Sequence, residues 1–230
     1  MQHYFSPAPP PKPADLRQID ATLAGRPVRL ASAPGVFSAH RLDLGTSVLL
    51  RTEARLKAAA ARDLDRFPPP DAANPPGAAS GGGRNLLDLG CGWGPLALAL
   101  ALYEPDATVW AIDTNPRALA LTRLNADRLG LAKIRAELPE AVPAGIEFDL
   151  IWSNPPVRVG KQALQALLAT WLARLTQDGW ADLVVGKNLG ADSLARWLTE
   201  QAGFPARKLA SAKGYRVLRA GRTAVGPAGC

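Results

Sequence analysis

Two different spacings of apolar residues along this chain predict its strands and its helices. From residue 85 onward, apolar runs of four to six residues alternate with longer segments whose apolar residues recur every three or four positions. Short apolar runs are typical of buried parallel strands, and the longer period is typical of amphipathic helices. The pattern predicts strands at 85–89, 107–112, 133–136, 148–153 and 181–185, helices at 95–103, 116–129, 161–175 and 193–201, and last a hairpin with strands at 207–210 and 215–219. The predicted fold is therefore α/β: a Rossmann-like, doubly wound, mostly parallel seven-stranded sheet with a C-terminal antiparallel hairpin.

Proline and glycine content predicts the remaining boundaries. Residues 1–25 are interpreted as a flexible, Pro-rich N-terminal tail. Residues 26–66 are expected to hold two short strands, at 27–31 and 36–37, and a helix from 46 to 64 that packs on the α/β domain of residues 85–220. Residues 67–84, rich in Pro and Gly, are predicted to form a flexible loop, and residues 221–230 a flexible C-terminal tail.

Charge distribution and the numbers of cysteine and histidine restrict the kinds of partner and ligand that the chain is expected to bind. The net charge is +7, and its distribution is uneven: residues 202–230 carry six basic residues and no acid, whereas residues 61–201 carry thirteen basic and sixteen acidic ones. Basic ends favour a polyanionic partner such as RNA, although a solvated, Arg-rich surface would look the same. The two cysteines and two histidines provide neither a disulfide framework nor a metal-ligand spacing. With no apolar segment of membrane-span length and no signal-peptide core, the chain is predicted to be cytoplasmic, without membrane or metal.

A glycine loop follows the first strand of the α/β domain, from Asp88 to Pro95. Its G-x-G-x-G spacing differs from the G-x-G-x-x-G of dinucleotide-binding loops. An acid before the first glycine suits a ligand that carries an ammonium group. Asp113, at the end of the next strand and 23 residues after Gly90, occupies the position at which an acid accepts hydrogen bonds from ribose hydroxyls.

The tetrapeptide Ser153-Asn154-Pro155-Pro156 ends the fourth predicted strand of that domain. Two prolines can neither continue a sheet ladder nor enter a helix interior, so the chain must leave the sheet here. Asn154 is then presented at the carboxyl end of the strands, where open α/β sheets bind ligands. Exocyclic amines of nucleobases are poor nucleophiles because their lone pair is delocalised into the ring. Asn154 Oδ1 and the Pro155 carbonyl could accept both N–H groups and free that lone pair.

The glycine loop, Asp113 and the Asn154-Pro155-Pro156 strand end together resemble the corresponding parts of the class I S-adenosylmethionine-dependent methyltransferases. The segments 35–38 and 42–46 resemble the block that precedes the glycine loop in the "small" methyltransferase-domain family, and the similarity runs from Pro34 to Arg219. The resemblance implies an enzyme that transfers methyl from S-adenosyl-L-methionine to an exocyclic amine. Members of that family methylate guanine N2 of 16S rRNA, so the implied partner is 16S rRNA or the small ribosomal subunit, and a monomer is expected.

The resemblance also implies site residues. Catalysis would fall to Asn154, Pro155 and Pro156. The cofactor-binding set would be Asp88, Gly90, Cys91, Gly92, Asp113, Thr114, Glu137, Asn154 and Phe37. The substrate-binding set would be Ser38, Val157, Arg158, Lys161 and Lys187, and Asp43 is a further candidate for the site.

Two departures from the family leave alternatives open. Long members carry a second, degenerate domain at the N-terminus, for which 230 residues leave no room. Val157 stands where an aromatic residue commonly stacks on the flipped base. Arg158 could replace that ring, Arg158 and Lys161 could bind phosphate, or both could be solvated charges. The rival functions are a protein glutamine N5-methyltransferase and a non-catalytic RNA-binding or assembly factor; the glycine spacing disfavours an NAD-dependent oxidoreductase.

Overall fold

The computed structural model describes residues 11–66, 83–156 and 159–222. Strands β1 to β9 span Arg17–Leu23, Arg26–Ser32, Asn85–Leu89, Thr108–Ile112, Ile134–Glu137, Phe148–Ser153, Leu175–Gly186, Ala206–Ala212 and Tyr215–Gly221. Helices α1 to α5 span Leu44–Arg66, Pro95–Tyr103, Pro116–Arg128, Lys161–Leu172 and Ala191–Glu200. Residues 1–10 of the predicted N-terminal tail, most of the predicted loop at 67–84, most of the tail at 221–230, and Val157 and Arg158 lie outside the described residues.

Seven strands form one sheet in the order β5-β4-β3-β6-β7-β9-β8. Neighbouring strands from β5 to β7 are parallel, whereas β9 is antiparallel to both β7 and β8. The predicted doubly wound sheet with its C-terminal hairpin is confirmed. Strand order reverses at β3, which lies between β4 and β6, and ligands of such sheets bind at the carboxyl ends of the strands beside that point.

Two apolar layers cover the sheet because successive side chains of a strand point to opposite faces. On β3 and β6, Leu86 and Trp152 pack with α1, α2, α3 and the β1–β2 hairpin. Their neighbours Leu87 and Ile151 pack with α4 and α5 on the other face. Both central strands are thus buried on both sides, which is why they read as continuous apolar runs in the sequence.

In the N-terminal part of the chain, the structure differs from the prediction in two places. Residues 17–23, assigned to the flexible tail, form strand β1, which pairs antiparallel with β2. The predicted strand at 36–37 is wrong, because Val36 lies in a bend and Phe37 in a turn. Buried Asn125 of α3 explains how β2 is held: its side chain accepts a hydrogen bond from the Ala31 N–H at 2.7 Å and donates one to the Ala31 carbonyl at 2.9 Å. Such a contact across 94 residues has no signature in local sequence.

A buried charge cluster attaches α1 to the sheet. The Arg219 guanidinium of β9 donates from Nε and Nη2 to the two carboxylate oxygens of Asp182 on β7, each at 2.7 Å. Glu53 of α1 lies 3.5 Å from Arg219 Nη2, and the two carboxyl residues are 5% and 0% exposed. Burial, followed by the negative charge of Asp182, raises the pKa of Glu53 to about 8. Near neutral pH Glu53 therefore keeps its proton beside the salt bridge between Asp182 and Arg219.

This cluster makes stability depend on pH. A glutamate titrates near 4.5 when unperturbed, so between that value and about 8 the folded chain binds a proton that the unfolded chain has lost. The free energy of unfolding should fall as pH rises through this window, by up to about 1.4 kcal/mol per pH unit for this one group. We expect Glu53→Gln, which keeps the shape without the titration, to show a shallower decline in urea unfolding between pH 5 and 8. Glu147→Gln, at an exposed carboxyl, is the matched control, and equal slopes for wild type and Glu53→Gln would contradict the prediction.

Candidate active site

The glycine loop lies over the carboxyl end of β4. Gly90, Gly92 and Gly94 all have positive φ, of 79°, 56° and 94°. The N–H groups of Gly90 and Cys91 donate to the carbonyl of Ile112 at 2.8 and 2.9 Å, which bends the loop back across the sheet edge. Apart from the adjacent residues of the chain, no atom of the described residues lies within 4 Å of where a Cβ would stand at Gly90 or Gly92, so the loop backbone borders open space. At Gly94 a Cβ would lie 2.9 Å from Thr122 Oγ1, so this glycine is required for packing against α3.

Asp113 fixes both the glycine loop and the turn that follows β4, beside the point where the strand order reverses. Its Oδ2 accepts a hydrogen bond from the Gly92 N–H and its Oδ1 one from the Asn115 N–H, both at 2.9 Å. Burial raises the pKa of Asp113, and these backbone donors act in the opposite direction. Each oxygen accepts one of these two bonds, and a carboxylate oxygen has a second lone pair that suits a ligand donor.

Asp88 lies fully buried beneath the glycine loop. Its Oδ2 accepts a hydrogen bond from the Ala97 N–H at 2.8 Å and so caps the first turn of α2. Its Oδ1 has no hydrogen-bond partner in the described part of the chain. Burial, with a further contribution from the charge of Asp113, raises the pKa of Asp88 to about 8. Asp88 is thus a helix cap with one buried oxygen still able to accept a bond.

Asn154 begins the loop after β6 and is half-buried. Its Nδ2 donates to Asp43 Oδ2 at 2.7 Å and to Thr46 Oγ1 at 3.2 Å. Its Oδ1 accepts no hydrogen bond from the residues described. The preceding Ser153 donates from Oγ to the Leu89 carbonyl at 2.7 Å, which ties the end of β6 to the start of the glycine loop. The acceptor oxygen of Asn154 is therefore held beside the loop.

A small cleft of about 20 Å³ lies between Asn154 and the glycine loop; Asp88 and Asp113 are not among the residues that line it. Residues of the segment 37–46 and Asn154 line one side of it, and the glycine loop with the first turn of α2 lines the other. Phe37, half exposed, and Ser38 both line the cleft. A larger cavity of about 870 Å³ lies elsewhere, between the β1–β2 hairpin and α1, and none of the site residues predicted from sequence lines it.

The other residues predicted to bind cofactor lie at the same edge. Cys91 is buried, with its Sγ 3.7 Å from Thr122 Oγ1. Thr114 is exposed directly after Asp113. Glu137 ends β5, where it pairs in register with Ile112 of β4, and its carboxylate lies 3.5 Å from Arg123 Nη2. The structure therefore brings the carboxyl ends of β3, β4, β5 and β6 to one edge.

Three exposed lysines continue this edge on the far side of Asn154. Lys161 begins α4 and Lys187 follows β7. The Lys187 N–H donates to the Gly214 carbonyl at 2.8 Å, which brings the β8–β9 turn, with exposed Lys213, to the same edge. Lys213 was not predicted; its only signal in the sequence is the basic composition of the C-terminal residues. The carboxylates of Asp88 and Asp113 thus lie on one half of the edge and lysines on the other.

The residues that hold Asn154 were incompletely predicted. Asp43 was a candidate, but Thr46 was not assigned a role, and neither could be paired with Asn154 from the sequence. Among the described residues, no three His, Cys, Asp or Glu side chains cluster as metal ligands. Across the helices of 11–66, 83–156 and 159–222, none is both long and apolar enough to cross a bilayer.

Known proteins resemble the chain in sequence and in structure. The family model described as methyltransferase small domain matches residues 78–219. An uncharacterized Bacillus subtilis protein, YbxB, is 29% identical over 95% of this chain and 98% of its own length. The ribosomal RNA small subunit methyltransferase C of Ectopseudomonas mendocina is 33% identical over 94% of this chain, which spans only 58% of that relative. The structure of the T. thermophilus 16S rRNA N2 methyltransferase in complex with AdoMet and guanosine covers 93% of this chain and 52% of that one, with a TM-score of 0.69 and 27% identity.

Proposed function

Because the chain belongs to the methyltransferase small domain family, we propose that it is an S-adenosylmethionine-dependent methyltransferase acting on an exocyclic amine, guanine N2 of 16S rRNA. One observation carries the proposal: the Asn154 carboxamide is held by its nitrogen, so that its oxygen remains available beside the glycine loop. A hydrogen-bond acceptor in that place suits an N–H donor. Relatives named as ribosomal RNA methyltransferases, and one solved with AdoMet and guanosine, support the same reading.

The glycine loop fits the cofactor. The open space over Gly90 and Gly92 admits a ligand against the backbone, and the free lone pairs of Asp113 suit two ribose hydroxyls. The unpaired Oδ1 of Asp88 suits a positively charged group, which would also favour the ionised form of this buried acid. When bound, S-adenosylmethionine would supply a methyl group on a sulfonium; transfer of this methyl to the amine would release neutral S-adenosylhomocysteine, and the methylated amine would lose a proton to solvent. Cys91, Thr114, Glu137 and Phe37 complete the proposed cofactor set.

The catalytic work of the protein is positioning. Asn154 Oδ1 and the Pro155 carbonyl would accept the two N–H groups of the amine and turn its lone pair toward the methyl group. Pro155 is buried, and Pro156 keeps the loop stiff where it leaves the sheet. Acceptors fixed before the reaction need no reorganisation as charge develops on the amine, and such groups account for much of enzymatic rate enhancement.

The lysine half of the edge favours a nucleic-acid substrate. Lys161, Lys187 and Lys213 lie at the ends of neighbouring elements beyond Asn154, where a strand that delivers a base to the cleft would pass its phosphates. Ser38, Val157 and Arg158 are proposed to contact the base and its flanking phosphates. The substrate would be 16S rRNA or the small ribosomal subunit, reached in the cytoplasm by a monomer. The relatives named as rRNA methyltransferases are longer than this chain. RNA recognition by this edge alone is therefore proposed for this chain and not carried over from those relatives.

Nucleoside mass spectrometry tests the assignment. In 16S rRNA from a strain that lacks the gene, one N2-methylguanosine should be missing, and the wild-type gene should restore it. A missing methyl on a glutamine of a cellular protein, with rRNA unchanged, would instead indicate a protein methyltransferase. Unchanged rRNA and protein, with no thermal shift on adding S-adenosylhomocysteine, would indicate a non-catalytic factor.

A further inference from the structure

We propose that Asp43 is a positioning residue that, together with Thr46, fixes the orientation of the Asn154 amide and so dedicates Oδ1 to the acceptor cleft. The consequence for catalysis rests on the proposed function, whereas the orientation itself does not.

The hydrogen-bonding role of an asparagine amide depends on which way the amide is turned. Its oxygen accepts and its NH2 group donates, and the two are similar in size, so a half-turn of the amide exchanges acceptor for donor. In a site that must accept N–H groups, the reversed amide would present its own N–H groups to the substrate amine and lose the hydrogen bond. The orientation of Asn154 is therefore a catalytic requirement.

Asp43 removes the ambiguity because an ionised carboxylate can only accept hydrogen bonds. At 2.7 Å from Asp43 Oδ2, the group on Asn154 must be Nδ2. This bond is charge-assisted and hence stronger than one between neutral groups. Thr46 Oγ1, at 3.2 Å from Nδ2, accepts the second N–H, and Thr46 is itself only 4% exposed. Both protons of the amide are thus bound on the side away from Oδ1.

The first turn of α1 sets the position of this carboxylate. Asp43 Oδ2 also accepts a hydrogen bond from the Thr46 N–H at 3.0 Å, as a helix N-cap does. The Asp43 carbonyl accepts bonds from the N–H and Oγ of Ser47, both at 2.9 Å. The helix that continues from this turn is anchored to β9 through Glu53 and Arg219, and Arg219 in turn pairs with Asp182 of β7. The orienting group is therefore part of a rigid element and not of a free loop.

A close contact with the C-terminal hairpin fits the same turn. A Cβ on Gly45 would lie 2.9 Å from Tyr215 Cε1 and 3.0 Å from Asp43 Oδ2, so only glycine lets the Tyr215 ring approach here. Tyr215 begins β9 and pairs with Gly186 at the carboxyl end of β7. The turn that orients Asn154 is thus packed against the edge that carries the proposed substrate lysines.

The arrangement has a chemical consequence. A hydrogen bond from Nδ2 to a charged acceptor polarises the amide, which makes Oδ1 a stronger acceptor. A substrate atom placed at Oδ1 must carry a proton, so a group with an N–H is bound and a carbonyl oxygen is rejected. Asp43 thereby contributes to the choice of an amine over the oxygen of a base.

Asp43→Asn tests the role in turnover. The new amide can face Asn154 with its oxygen or its NH2 group, so the orientation is no longer dictated. A hydrogen bond to a charged group is worth about 1.5–3 kcal/mol, so we expect single-turnover methyl transfer to rRNA to fall about 10- to 100-fold. S-adenosylhomocysteine affinity, measured by calorimetry, should stay within about twofold because the glycine loop is unchanged. Ser47→Ala is the matched control: it loses a bond to Asp43 in the same turn without touching Asn154, and should keep wild-type turnover.

Nuclear magnetic resonance tests the orientation without any substrate. The ¹⁵N–¹H₂ signals of the Asn154 side chain are identified by their absence in Asn154→Ala. They should shift in Asp43→Asn and stay in place in Ser47→Ala. If Asp43→Asn does not fold, Thr46→Val removes the second acceptor at constant shape and should shift the same signals, with Thr46→Ser restoring them.

The two readouts separate the possible failures. Wild-type turnover in Asp43→Asn, or Asn154 signals that ignore both Asp43 and Thr46, would overturn the inference. Signals that depend on Asp43 in a protein that leaves rRNA unmethylated would overturn the proposed function and support the orientation.

Discussion

Asn154→Ala is expected to lower methyl transfer about 10³-fold, a magnitude typical of losing a preorganised hydrogen-bond group in an active site. The substitution removes the carboxamide oxygen that is proposed to accept a hydrogen bond from the amine beside the glycine loop. It leaves Gly90, Gly92 and Asp113 in place, because none of them bonds to the Asn154 side chain. Single-turnover rates with saturating S-adenosylmethionine should fall, while calorimetric affinity for S-adenosylhomocysteine should remain.

The control for this variant is Gln177→Ala. It removes an exposed amide near the amino-terminal end of β7, far from the carboxyl-end cleft, and should leave turnover unchanged. A cofactor affinity that collapses in Asn154→Ala would place Asn154 among the cofactor ligands and remove its assigned role as orienter of the amine. Methyl-transfer rates of Asn154→Ala within a few fold of wild type would contradict the proposed role of Asn154 in positioning the amine.

Asp113→Asn is expected to weaken S-adenosylhomocysteine binding about 100-fold, since hydrogen bonds to a charged group contribute about 1.5–3 kcal/mol each. In the folded chain both oxygens of Asp113 accept backbone N–H groups, from Gly92 and Asn115. An asparagine amide would turn its own NH2 group toward one of these donors. The glycine loop would then lose its tie to the end of β4, together with the proposed ribose acceptor.

Isothermal titration of S-adenosylhomocysteine measures this loss directly. Asp106→Asn, at a fully exposed aspartate that lies 3.6 Å from Lys133 Nζ, makes the same chemical change away from the cleft and should bind normally. Undiminished affinity in Asp113→Asn would show that Asp113 only shapes the turn. Unlike Asn154→Ala, this variant should lose activity through the cofactor, so added S-adenosylmethionine should recover part of its rate.

Local pattern was sufficient for the type and order of the elements of the α/β domain but not for every boundary: strand β7 begins at Leu175, which was predicted to end the preceding helix. The strand Phe148–Ser153 and the helix Pro95–Tyr103 lie where the sequence predicts them, because short apolar runs and a proline at the first turn act over a few residues. The error at the N-terminus has the same origin. Prolines before residue 14 suggested a tail, whereas strand β1 exists because β2 pairs with it and Asn125 holds β2 from a distant helix.

The sequence by itself determined the fold class, the glycine loop, Asp113 and the position of Asn154 at the carboxyl end of a strand, because periodicity, glycine spacing and two prolines constrain the backbone locally. Only the tertiary structure decided what Asn154 faces. Asp43 and Asn154 are 111 residues apart and meet because α1 packs across β7 and β9 through Glu53, Asp182 and Arg219. Lys213 likewise reaches the edge only because the C-terminal hairpin pairs with β7. Contacts of this kind depend on how whole elements pack, and no short stretch of residues records them.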